Sequence, residues 1–142
     1  MGARERQDEM KFMLMMNAPG GSGGDWAVSK WTPEDLKAHI GFMKRFNEEL
    51  RQEGALVGAE GLAPPSQARV VRAGKSSTPE VTDGPFAETK EFLAGYWIVH
   101  VETPEQAYAI ASRASAAPGP GGKPLNMPIE VRQVMSGPPI DA

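Results

Sequence analysis

The sequence predicts an α+β domain in which two strand–helix–strand units share one antiparallel sheet. Two observations carry this expectation. The tetrapeptides Thr32-Pro33-Glu34-Asp35 and Thr103-Pro104-Glu105-Gln106 are helix starts, and each comes after an apolar run and opens a stretch with helical periodicity. Around them the elements run strand, helix, strand, strand, strand, helix, strand. That is the split βαβ plan of ferredoxin-like domains with an extra hairpin strand between the halves, and it puts both helices on one face of the sheet.

The first strand is Phe12 to Met16, a fully apolar run suited to a central position buried on both faces. Residues 18 to 31, "APGGSGGDWAVSKW", read as a loop carrying Trp26 and Trp31. At Thr32 the hydroxyl can cap free N–H groups, Pro33 loses nothing at the first helical position, and Glu34 and Asp35 suit the positive end of the dipole. Leu36, Ile40, Met43, Phe46 and Leu50 then form one apolar stripe, and Gly54 ends the helix.

Residues 55 to 62 and 68 to 74 read as two strands separated by a Pro-Pro turn. Residues 92 to 101 are the strongest strand, with Trp97, Val99 and Val101 on one face and Tyr96, Ile98 and His100 on the other. Thr103 and Gln106 have the spacing of a capping box, and Ala107, Ile110, Ala111 and Ala114 supply that helix's apolar face. A Gly/Pro-rich loop over 118 to 124 leads to a closing strand at 129 to 135. If apolar residues of the central strands divide between both sheet faces, the face without helices needs cover, and a second subunit is the simplest one. A homodimer is therefore expected.

The chain of 142 residues fits one domain with one core. Its bounds are read as a solvated arm at 1–9, the domain at 10–135 and a Pro-rich tail at 136–142. A net charge of −3, with Lys and Arg scattered among acids, argues against nucleic-acid binding. There is no cysteine, hence no disulfide, thiolate nucleophile or Cys-based zinc site. No apolar run reaches the ~18 residues of a membrane span, and a charged start replaces a signal region. A cytoplasmic protein with no membrane partner is the expectation.

The stretches "TPEDLKAHIGFMKRFNEELRQEGALVGAEGL", "VTDGPFAETKEFLAGYWIVHVETPEQAYAIA" and "IEVRQV" resemble the DGPF branch of the YCII-related family over roughly residues 10 to 135. The most specific element is Asp83-Gly84-Pro85-Phe86-Ala87-Glu88 followed by Lys90-Glu91. The resemblance implies a ferredoxin-like fold associated as a dimeric α+β barrel. Among the family's relatives is an enzyme that removes chloride from a chlorinated aromatic compound with a His–Asp pair, and DGPF proteins are often linked with alternative sigma factors. No cofactor is expected.

Asp83, His39 and His100 are the candidate catalytic residues. Asp83 is either a general acid or base in a cleft or the carboxylate that holds an Asx-turn. The relatives' dyad carboxylate falls in its loop. His39 lies beside the apolar stripe, where it would pair with Asp83 or sit as a boundary residue wetted at one edge. In the catalytic relatives the histidine falls about one turn later, near Met43, which is a departure. His100 is a second acid–base candidate if its face lines the dimer cleft, and otherwise a satisfied core or edge residue.

Trp26, Phe86, Lys90 and Tyr96 are the candidate contacts to a small-molecule ligand. Lys90 reads as a partner for a carboxylate, or with Glu88 and Glu91 as part of a solvated or intersubunit charge cluster. The loop at 18–31 would fold over a groove or a dimer seam as a lid. "GGSGGDW" lacks the Gly-Lys-Ser/Thr of a phosphate-binding loop. With two histidines and no cysteine, no metal site is expected. The functional expectation is a lyase- or hydrolase-type enzyme of small molecules. Its alternatives are a ligand-binding or regulatory accessory protein, and a DGPF loop that is purely architectural.

Overall fold

The computed structural model describes residues 10–19, 31–83 and 91–135. The elements are β1 (Met10–Pro19), α1 (Pro33–Gln52), β2 (Leu56–Gly61), β3 (Arg69–Arg72), β4 (Glu80–Asp83), β5 (Glu91–Val101), α2 (Pro104–Ser115) and β6 (Ile129–Gln133). Single 3₁₀ turns lie at Pro65–Gln67 and Pro120–Gly122.

Four strands form an antiparallel sheet in the order β2-β5-β1-β6, the ferredoxin-like order expected of two interleaved strand–helix–strand units. The apolar run at the start of the chain becomes a central strand, three residues longer at its end than its apolar core suggested. Side chains alternate faces along each strand, so the pairs Phe12↔Val99 and Leu14↔Trp97 share the core side. All four are buried.

Both helices cover that side, and their inward residues join one core with it: Phe46 and Leu50 from α1, Ala107, Ile110, Ala111 and Ala114 from α2. Phe46 meets the Trp97 ring edge-on at 5.7 Å. Arg113 of α2 lies 5.2 Å over the Phe46 ring and donates to Glu49 Oε1 at 2.9 Å, tying the helices together. The opposite side carries Met13↔Ile98 and Met15↔Tyr96, half-buried, with no helix of the described residues over them.

The helix starts behave as their chemistry requires. Thr32 Oγ1 accepts from the Asp35 N–H at 3.1 Å. Thr103 and Gln106 make both bonds of a capping box. Gly54, with φ of 76°, takes the left-handed conformation that stops α1.

Two expectations need correction. Asp83, read as a cleft acid–base group or the holder of a turn, ends a strand that was not expected, Glu80–Asp83, which pairs with β3 in a separate two-stranded sheet. The reason lies across the ladder, where Arg72 faces Glu80, Val71 faces Val81 and Arg69 faces Asp83. Opposite charges facing each other at both ends, with valines between, suit a ribbon, whereas Asp83-Gly84 taken alone is a turn signal. Secondly, Ile40 belongs to the sequence's apolar stripe but is 44% exposed. Burial on α1 is concentrated at Phe46 and Leu50, in its last turns, and the first half borders a cavity.

Candidate functional site

The first half of α1 presents His39 toward the sheet. Its Nδ1 lies 3.0 Å from the carbonyl oxygen of Pro118, and the imidazole is half-buried. A carbonyl can only accept, so Nδ1 carries the proton and Nε2 of the neutral ring keeps its lone pair. Trp31, just ahead of the helix, meets the ring edge-on at 5.3 Å and 85°. The tautomer and the plane of the imidazole are thus both fixed.

His39 borders a cavity of about 360 Å³ whose other walls include Met16, Ala18, Phe92, Ala94 and Leu125. A β-bulge shapes it. Met16 pairs with Gly95 but Asn17 pairs with Leu93, which leaves Ala94 as the extra residue on β5. Bulges of this kind bend a strand and re-aim side chains, and they recur beside functional sites. The described lining side chains are apolar apart from His39 and the indole N–H of Trp31, the usual make-up of a small-molecule site with few orienting groups.

The loop after α2 is fastened to α1 at two points. Pro118 accepts from His39, and the Gly121 N–H donates to Asp35 Oδ2 at 3.2 Å. A side chain at Gly119 would push Leu125 aside, because a Cβ there would lie 2.6 Å from Leu125 Cδ2. Gly121, at φ of 69°, is in the left-handed region. Leu125 and Met127, just beyond, are walls of the cavity, so the fastening also sets its width.

A second cavity of about 260 Å³ shares Met16 and His39 with the first and extends along α1 past Met43 and Asn47 to Tyr96 and Trp97. Trp97 Nε1 donates to Asn47 Oδ1 at 2.8 Å.

Of the residues singled out in the sequence, His39 alone among the described ones turns its side chain to these cavities; Tyr96 borders the second by its place in β5, but its side chain alternates to the opposite face. Asp83 ends β4 with its side chain 98% exposed, and its carboxylate lies 3.8 Å from Arg69 Nε. Among the described residues no hydrogen bond or ion pair joins Asp83 to His39. His100 pairs with Lys11 on the face without helices and lines a depression with Glu53, Glu102 and Gln106. Trp26, Phe86 and Lys90 lie outside the described residues. Among the described residues no group of three His, Asp or Glu side chains is placed to hold a metal ion, and no helix is long and apolar enough to cross a membrane.

Sequence reasoning missed Asn47, Asp35 and the Pro118 carbonyl. Asn47 had a signal, since His39, Met43 and Asn47 recur at four-residue steps and so share a helix face. The other two partners come from a contact between segments about eighty residues apart.

An antiparallel four-stranded sheet with both helices on one side, and a cavity under the first helix, define a small α+β domain of ferredoxin-like fold. The family model of the YCII-related domain matches residues 10–119, most of the chain, and the chain belongs to that family. The match runs from β1 through α2 and stops ahead of β6. Among curated proteins no significant match is found.

Proposed function

We propose that this protein binds a small, largely apolar molecule in the cavity between α1 and the sheet, with His39 as the polar group that orients it. The observation that carries the reading is the His39–Pro118 bond at the wall of a largely apolar cavity. It leaves Nε2 as an acceptor for a ligand O–H or N–H. One domain over 10–135, of the DGPF branch, acts in this reading as a cytoplasmic homodimer. The helix-free face around Met13, Met15 and Ile98 is the surface that a second copy would cover.

The test uses N-phenyl-1-naphthylamine, a neutral apolar fluorophore with one N–H donor. Its addition should move the NMR methyl signals of Met16, Leu125 and Met127 and leave those of Val71 and Val81 on the hairpin in place. Shifts confined to Met13 and Met15 would put the probe on the helix-free face and refute the reading.

A second reading, an acid–base enzyme of lyase or hydrolase type, is favoured by the same bare Nε2, which can take a proton from a bound substrate. It assigns Asp83 as the partner of His39, and that asks for an approach replacing the contact with Arg69. The non-catalytic reading, including a regulatory accessory role, needs no such rearrangement.

A further inference from the structure

We infer that Asn47 is a ligand-recognition residue for a neutral carbonyl oxygen, and that the ligand is an elongated, mostly apolar molecule carrying that carbonyl at the end away from His39. This rests on the reading of the cavity under α1 as a small-molecule site.

The orientation of the Asn47 amide is fixed by chemistry. Trp97 Nε1 can only donate, so the atom facing it at 2.8 Å is Oδ1. Nδ2, with two hydrogens, then points elsewhere, and no described residue accepts a hydrogen bond from it. Asn47 is half-buried on the wall of the second cavity. A donor held in place by a bond to its own other end is preorganised to meet an acceptor.

The two cavities give the ligand its length. They share Met16 and His39. His39 and Asn47 are two steps of four apart on α1, which at 1.5 Å per residue separates them by about 12 Å along the helix. A molecule touching both must be long, and the intervening walls, Met16 and Met43, are apolar.

Two further features set the chemistry of the far end. Glu60 pairs with Tyr96, so its carboxylate alternates to the opposite face, and the far end is left without a described cationic side chain to match a ligand carboxylate, which suits a neutral oxygen. The room comes from missing side chains, because Met16, Gly95 and Gly61 lie in register across three strands. A Cβ on Gly95 would sit 2.9 Å from the Glu60 carbonyl oxygen, while one on Gly61 would meet nothing within 4 Å.

The experiment compares 5-phenylpentan-2-one with pentylbenzene by titration against the full chain. The substitution is Asn47→Asp, which keeps an acceptor for Trp97 Nε1 and removes the donor. It should weaken the ketone roughly threefold to tenfold, the range of one net hydrogen bond, and change pentylbenzene less than about twofold. Gly61→Val, which fills the second cavity, should weaken the ketone as well and serves if Asn47→Asp does not fold. Equal effects of Asn47→Asp on both probes, or a ketone affinity untouched by Gly61→Val, would overturn the assignment while leaving the cavity reading intact. If neither pentylbenzene nor N-phenyl-1-naphthylamine binds the unaltered protein, the cavity reading itself fails and this inference falls with it.

Discussion

His39 Nδ1 and the Pro118 carbonyl oxygen, 3.0 Å apart, join the first helix to the loop that follows the second. This one bond fixes the imidazole's tautomer, fastens the Gly-rich loop at 118–124 and holds Leu125 and Met127 as cavity walls. A residue that reads as either a catalytic base or a wetted boundary histidine thus fastens two segments of the fold, and in the proposed reading it also orients the ligand.

Replacing His39 by Phe keeps a ring against Trp31 and removes the bond. The loss should be about 0.5–1.5 kcal/mol, the net worth of one hydrogen bond. Hydrogen exchange should quicken at Gly119 and Gly122, whose amides bond within the loop to Lys123 and Gly119. Unchanged exchange there would mean that the loop does not depend on His39.

Leu50 is fully buried where α1 crosses the core. Leu50→Ala should destabilise the fold by about 2–5 kcal/mol, as removal of a buried leucine side chain does when the cavity cannot collapse. Chemical denaturation measures this, with an unchanged slope indicating a change in stability alone.

Asp83→Asn tests the signature turn. With its side chain 98% exposed and 3.8 Å from a half-exposed Arg69, the carboxylate should contribute no more than about 0.5 kcal/mol. A melting temperature lowered by several degrees would favour the turn-holding role. Stability kept but turnover of a substrate lost would favour the acid–base one.

Ile98→Asp places a charge at the middle of the helix-free face. The unaltered chain should sediment at twice 15.3 kDa and this variant at 15.3 kDa, because a buried unpaired carboxylate strongly opposes association. A monomeric unaltered chain would refute the dimer.

How far the sequence revealed this protein depended on the range of the interaction. Helix caps at Thr32 and Thr103, the alternation of Trp97, Val99 and Val101, and the apolar stripe ending at Leu50 are local, and each follows from spacing within a few residues. β4 was hidden because Asp83-Gly84 is a strong turn signal, and only the facing charges of Arg69 and Arg72 favour a strand there. Ile40 misled for a similar reason: periodicity marks the helix face that turns inward, but not where along that face the core gives way to a cavity. His39 stands out in the sequence as a residue type with chemical potential. Asn47 was not, because its meaning depends on Trp97, fifty residues away. The latch of Asp35 on Gly121 is equally non-local.

The central claim is that the cavity beside His39 is the binding site, and filling it tests this most directly. Ala94, the bulged residue of β5, lines that cavity, and Ala94→Phe would occupy it. In fluorescence titrations with N-phenyl-1-naphthylamine, the unaltered protein should bind at one saturable site. The variant should bind at least about tenfold more weakly, a difference of about 1.4 kcal/mol, while keeping its melting temperature. Equal affinity in the two proteins would contradict the account.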